Sequence, residues 1–146
     1  PFLHYLQDKV LVMGVISNCP ARTVEDTLPM LGLHNFFHFF LCCETFGGQK
    51  PDRPIFDAAY NHARFWASPA ANIKPEEVLH IGDAEIADYH GARAAGFQAA
   101  LLKRQENVVF NDWLRPPAYA GSSEEELHLN TFANFDGIRG VMSHLP

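Results

Sequence analysis

The chain has too few cysteines for a disulfide framework: three in 146 residues, with Cys42 and Cys43 adjacent and Cys19 apart. An odd count of this kind points to a reducing setting, cytoplasmic or nuclear. Long apolar runs are also lacking. The most hydrophobic stretches, 10–16 and 36–43, fall well short of the ~20 residues a membrane helix needs. No charged segment with a following apolar core opens the chain as a secretion signal would. Positive charge is scarce: 11 Lys and Arg stand against 17 Asp and Glu, a formal net charge of -6. With no Lys/Arg cluster either, binding a nucleic-acid backbone is excluded as the main task. No internal repeat or low-complexity tract is present. A composition of 47% hydrophobic and 19% charged residues is that of a globular domain with one core.

What is there is an alternation of short apolar runs and helix-like segments, which reads as parallel α/β units. Residues 1–7 look like the end of a helix whose beginning is not in the sequence. Residues 9–17 are nearly all apolar, as buried parallel strands are, and Ser17-Asn18-Cys19-Pro20 breaks the run. A helix is expected over 23–31, with Val24, Thr27, Leu28 and Leu31 on one face, a kink at Pro29 and a stop at Gly32. A second strand is expected over 39–43, and 44–54 reads as a turn segment. A helix over 55–66 buries Ile55, Phe56, Ala59 and Ala63. A third strand begins at Val78, a helix-like stretch leads to Gly96, and a fourth strand covers 97–102. Beyond it the rhythm stops: 115–126 reads as an exposed polar loop. An apolar run at 127–132 and a helix near 137–145 are expected to dock on the edge of the sheet. His34, His38, His62, His80 and His90 read as packed or edge residues, and Cys42 and Cys43 as strand residues, not as a redox pair.

Three strand ends carry chemistry. Ser17 and Asn18 follow the first strand and precede a helix, where hydroxyl and backbone donors suit a phosphate. Lys50, in Gly47-Gly48-Gln49-Lys50-Pro51-Asp52, supplies a point charge just before another helix. Asp83, after His80-Ile81-Gly82, is a hard oxygen ligand suited to Mg2+ held against a phosphate. Asp88, five residues on, either orients the waters of that metal or holds Lys50 in place. A hydroxyl, an ammonium and a carboxylate at the carboxyl ends of parallel strands suit phosphoryl transfer.

This order of signals resembles the haloacid dehalogenase superfamily over residues 10–102. Val15-Ile16-Ser17-Asn18 is similar to its second motif and Lys50-Pro51-Asp52 to its third. Gly82-Asp83, with Asp88 and the following Gly91-Ala92-Arg93-Ala94-Ala95-Gly96, is similar to its fourth. The resemblance implies a Rossmann-like parallel sheet with flanking helices, and hydrolysis through an aspartyl-phosphate. Ser17 would bind the phosphoryl group, Lys50 would stabilise it and position the nucleophile, and Asp83 would ligate Mg2+. True dehalogenases of the superfamily typically lack the metal-binding acid, so Gly82-Asp83 points to the phosphatase branch and a small phosphorylated substrate.

The family's first motif, Asp-x-Asp-x-Thr, is absent from the chain. The nearest string, Asn134-Phe135-Asp136-Gly137-Ile138, has Asn where the nucleophile belongs and lies at the wrong end. Cys19-Pro20 also departs from what usually follows Ser-Asn. In the family the missing first strand is central, between the strand at Val10 and the strand at Val78. Its absence leaves a gap of roughly 10 Å, twice the usual strand spacing. The expected fold is therefore an incomplete α/β domain over 1–146, without first strand or cap, having a core at 1–103 and a loop and C-terminal segment at 104–146. The expected function is that of the carboxyl-terminal part of a Mg2+-dependent phosphomonoesterase, inactive alone and binding Mg2+ weakly through one carboxylate. The alternative is a catalytically dead relative that binds or scaffolds. A response-regulator-like receiver is disfavoured, because no acceptor Asp ends the first strand here.

Overall fold

The computed structural model describes residues 2–103, 131–132 and 138–139. Helix α1 (Phe2–Gln7) closes abruptly: the Lys9 and Val10 N–H groups both donate to the Leu6 carbonyl. Residues 9 and 10 therefore belong to the helix-closing turn, and strand β1 is Gly14–Ser17, shorter than the 9–17 expected. It pairs in parallel with β2 (Phe39–Cys42), from Gly14 opposite Phe39 to Ser17 opposite Cys42. Between them a π-helical turn, Thr23–Thr27, runs into the short α2 (Leu28–Met30). Pro29 has no N–H to give the Glu25 carbonyl, so a regular helix cannot continue through it. Of the face expected to be buried, Val24 and Leu28 are half-buried, whereas Thr27 and Leu31 are exposed.

Cys43 opens the helical turn α3 (Cys43–Phe46) instead of ending β2. Helix α4 (Arg53–Trp66) starts two residues earlier than the sequence suggested, with Pro54 in its first turn, where no N–H is missed. Ile55, Phe56 and Ala59 form its buried stripe. The second sheet is β3 (Leu79–Gly82), β4 (Gln98–Leu102) and β5 (Thr131–Phe132), all parallel and in that spatial order. A π-helical turn, Glu85–His90, continues into α5 (Gly91–Ala94) and links β3 to β4.

The core lies on both faces of β4, following the two-residue period of a strand. Ala99 and Leu101 pack with Ile55, Phe56, Tyr89, Ala92, Ala95 and Phe97 on the side of α4 and α5. Ala100 and Leu102 pack with Phe2, Ile81 and Ile138 on the other side. Each large side chain fully buried here contributes about 1.5–3 kcal/mol.

Among the described residues no hydrogen-bonded ladder joins β1 to β3. Each of these strands keeps one edge without a strand partner among the described residues. Their residues are exposed or half-buried, Gly14 and Leu79 being the exposed ones, although parallel strands are usually covered on both faces. The fold is α/β, with parallel strands and flanking helices. The loop expected at 115–126, most of the helix expected at 137–145 and the string 134–137 lie outside the described residues. Of the run at 127–132, Thr131 and Phe132 form β5.

Candidate functional site

Ser17 ends β1 and is half-buried; among the described residues its hydroxyl has no hydrogen-bond partner. Asn18, the next residue, turns its side chain onto the loop before α4. Its Nδ2 donates to the Lys50 carbonyl oxygen at 2.8 Å, and its Oδ1 accepts the Lys50 N–H at 2.8 Å. The amide thus does for Lys50 what a neighbouring strand would do, satisfying both backbone groups. The helical segment that follows is tied to α3, where Glu44 Oε2 accepts the Ala21 N–H at 2.6 Å. Ser17 and Asn18 do not sit at a helix N-terminus: Cys19 and Pro20 separate them from the helical turn.

Lys50 is buried, and its ammonium forms an ion pair with Asp88 Oδ1. Asp88, in the π-helical turn after β3, is buried as well. Its Oδ1 also accepts from His80 Nε2 at 3.0 Å, while its Oδ2 accepts the Ala84 N–H at 2.9 Å. Burial alone would raise the pKa of this carboxyl. The His80 and Lys50 hydrogen bonds, the Lys50 charge and the Ala84 amide outweigh it and hold the group well below the usual carboxylate range. Of the two roles the sequence left open for Asp88, the contacts observed are those that hold Lys50.

Two glycines make this packing possible. A Cβ on Gly82 would lie 2.2 Å from Asp88 Cγ, so the carboxylate occupies the space a side chain would take. A Cβ on Gly91 would lie 2.9 Å from the Phe56 ring and 3.1 Å from the Pro51 Cα. His80 was not singled out by sequence, where a lone histidine in a strand reads as packing. The usable signal is its place two residues before Gly82: the two share one strand face, and a bare glycine on that face leaves room for Asp88 to reach the imidazole.

Asp83 lies just past the end of β3, exposed, and among the described residues it has no hydrogen-bond or ion-pair partner. No group of three or more His, Cys, Asp or Glu residues able to hold a metal ion occurs among the described residues. One free carboxylate fits Mg2+ in part, since that ion binds through one or two carboxylates with water and phosphate oxygens around the rest. A cavity of about 330 Å³ lies elsewhere, between Val10, Leu11, Met13, Phe36, Phe37 and His38. It holds none of Ser17, Lys50, Asp83 or Asp88. No helix among the described residues is long and apolar enough to cross a membrane.

Lys50 is thus the residue where the separate stretches meet. Asn18 fixes its backbone from the end of β1, and Asp88 fixes its ammonium from the π-helical turn after β3. Such convergence of polar groups at strand ends is where parallel α/β sheets bind ligands.

Comparison with known proteins shows the family and the fold. A haloacid dehalogenase-like hydrolase family profile matches residues 1–102. Haloacid dehalogenase-like hydrolase domain-containing protein 3 of Mus musculus is 35% identical over 96 residues, covering 66% of this chain and 35% of the mouse protein. Glyceraldehyde 3-phosphate phosphatase of Methanopyrus kandleri is 30% identical over 104 residues, 71% of this chain and 41% of that protein. Among solved structures, the HAD-hydrolase YfnB of Bacillus subtilis, crystallised with magnesium, superposes with a TM-score of 0.72 at 20% identity, over 97% of this chain and 53% of that one. The chain therefore spans less than half the length of these two curated relatives. On the strength of the profile match, it belongs to the haloacid dehalogenase-like hydrolase family.

Proposed function

We propose that this chain carries the anion- and cation-binding part of a Mg2+-dependent phosphomonoesterase, and that it turns nothing over alone. The observation that carries the reading is the Lys50 ammonium, held in place by Asp88 and backed by the Asn18 clasp, in a chain whose Asp83 carboxylate is exposed and uncommitted. Lys50 supplies the fixed positive charge for a phosphoryl oxygen, and the unpartnered Ser17 hydroxyl donates to a second. Asp83 would hold Mg2+, which when bound neutralises the remaining phosphate charge. The nucleophile is not in the chain, because no Asp-x-Asp-x-Thr occurs in its 146 residues. A strand bearing that motif could pair with the edges of β1 and β3 that no described strand covers, and would place the attacking carboxylate beside Lys50. The Methanopyrus kandleri relative, named for a small phosphate ester, supports the substrate class.

The test joins the chain to a segment that carries Asp-x-Asp-x-Thr and follows orthophosphate release from a panel of small phosphate esters. Mg2+-dependent release that is lost on Asp83→Asn or Lys50→Ala is expected, with no release by the chain alone. A joined protein that binds no Mg2+ and releases no phosphate across the panel overturns the reading. The second reading, a binding protein without catalysis, rests on the same missing nucleophile. It predicts that the chain by itself binds orthophosphate or another phosphorylated ligand, and that joining a segment with Asp-x-Asp-x-Thr restores no turnover.

A further inference from the structure

Asp88 Oδ1 is shared between two donors, and only one of them, Lys50, has a role so far. The other is His80. Its side chain is only 13% exposed, and its Nε2 lies 3.0 Å from the oxygen that the ammonium also contacts. The Phe56 ring packs against the imidazole edge-on, with centroids 5.6 Å apart and an interplanar angle of 86°. Asp88 Oδ2 is taken by the Ala84 N–H. Each oxygen of the carboxylate is thus committed, and two of the three donors, Lys50 and His80, come from outside its own turn and the Ala84 cap.

We propose that His80 is a positioning residue, which acts through Asp88 to keep the Lys50 ammonium set toward an incoming phosphate. This rests on the reading of Lys50 as the anion-binding charge. The physical argument is one of shared charge. An ionised carboxylate can only accept, so His80 Nε2 must carry a proton and donate it to Oδ1. A charge-assisted bond of this kind draws part of the negative charge of the carboxylate onto the imidazole. What remains on Oδ1 neutralises the ammonium less completely, and Lys50 keeps attraction for an anion. Without the imidazole donor, Oδ1 falls to Lys50 alone, the pair tightens, and the ammonium is withdrawn from the anion. Phe56 and Gly82 complete the device, the first by packing against the imidazole and the second by leaving room for the carboxylate beside it.

The experiment compares the 146-residue chain with His80→Phe, which keeps the ring and its contact with Phe56, and His80→Gln, which returns an amide donor near the position of Nε2. Orthophosphate affinity is read by calorimetry, and the Asp88 carboxyl and the His80 tautomer by NMR. Affinity should fall about tenfold in the Phe variant and stay within about threefold in the Gln variant, the scale on which partners behind a ligating residue usually act. The Asp88 titration midpoint should rise in the Phe variant and hold in the Gln variant. A space-filling role predicts neither split, since Phe fills the site better than Gln does. Orthophosphate binding that the Phe variant leaves unchanged overturns this inference and spares the reading of Lys50. A native chain that binds no orthophosphate overturns that reading, and this inference with it. An Nδ1–H tautomer of neutral His80 in the native chain overturns the inference with no variant needed.

Discussion

The Asn18 side chain pairs with the Lys50 backbone through two bonds of 2.8 Å, donating to its carbonyl and accepting from its N–H. A residue that reads as a substrate ligand in the sequence has its amide engaged in holding a loop 32 residues away. Asn18→Ala removes both bonds and leaves the Lys50 N–H and carbonyl without their side-chain partner. The expected cost is about 1–2 kcal/mol, two ordinary hydrogen bonds less the water that replaces them. It should appear as a lower urea midpoint together with weaker orthophosphate binding. A variant that keeps both native values would show that Asn18 does not set the position of Lys50.

The Lys50–Asp88 pair makes a different prediction, because it is buried. The side chains are 9% and 5% exposed, so removing one partner strands a charge in the interior. Asp88→Asn should cost about 3–5 kcal/mol, and pairing it with Lys50→Met should recover part of that. The pH dependence has a definite sign. The folded-state pKa of Asp88 is lowered, from burial outweighed by the His80 and Lys50 bonds. The stability this provides is fully present above the unfolded carboxylate pKa of about 3.9 and is lost as pH falls below it. Urea unfolding of the native chain should weaken steeply below about pH 4, and the Asp88→Asn chain should show a shallower slope there.

The fold class and the chemical residue types were legible because they depend on local pattern. The apolar runs located all four strands of the first 103 residues, and Ser17-Asn18, Lys50 and Gly82-Asp83, each weak alone, stand out by their order and their places after strands. Element ends were less legible because pairing decides them. Nothing in the apolar run 9–17 says that 9 and 10 close α1, or that β1 begins only where Phe39 offers a partner. Residues 84–90 carry no marking for a π-helical turn, yet that turn brings the Asp88 carboxylate over Gly82. His80 was missed for the same reason: its role depends on a contact eight residues away that only the turn creates.

Gly82 offers a steric test of that contact. A Cβ there would lie 2.2 Å from Asp88 Cγ and 2.3 Å from Oδ2, so Gly82→Ala requires the carboxylate to move. The displaced carboxylate loses His80, Lys50 or both, within a buried site. The expected loss is about 1–3 kcal/mol, from overpacking alone, and more where the ion pair breaks. NMR of the Lys50 ammonium should show faster exchange with water. An alanine variant as stable as the native chain would mean that Asp88 does not fill this space in solution.

Asp83 should behave in the opposite way to Asp88, although both follow β3 and lie five residues apart. Asp83 is exposed and has no partner among the described residues, so Asp83→Asn removes no interaction that folding makes. Its urea midpoint should match that of the native chain, whereas Asp88→Asn lowers the midpoint strongly. The order reverses when Mg2+ is added with orthophosphate. A carboxylate that ligates Mg2+ stabilises the folded chain by mass action, so the native chain should gain in melting temperature as Mg2+ rises and Asp83→Asn should not. Asp88→Asn, less stable at the start, should keep a gain from Mg2+ because Asp83 is still present. Should Asp83→Asn gain as much from Mg2+ as the native chain, the carboxylate that holds the ion lies elsewhere and the assignment of Asp83 fails.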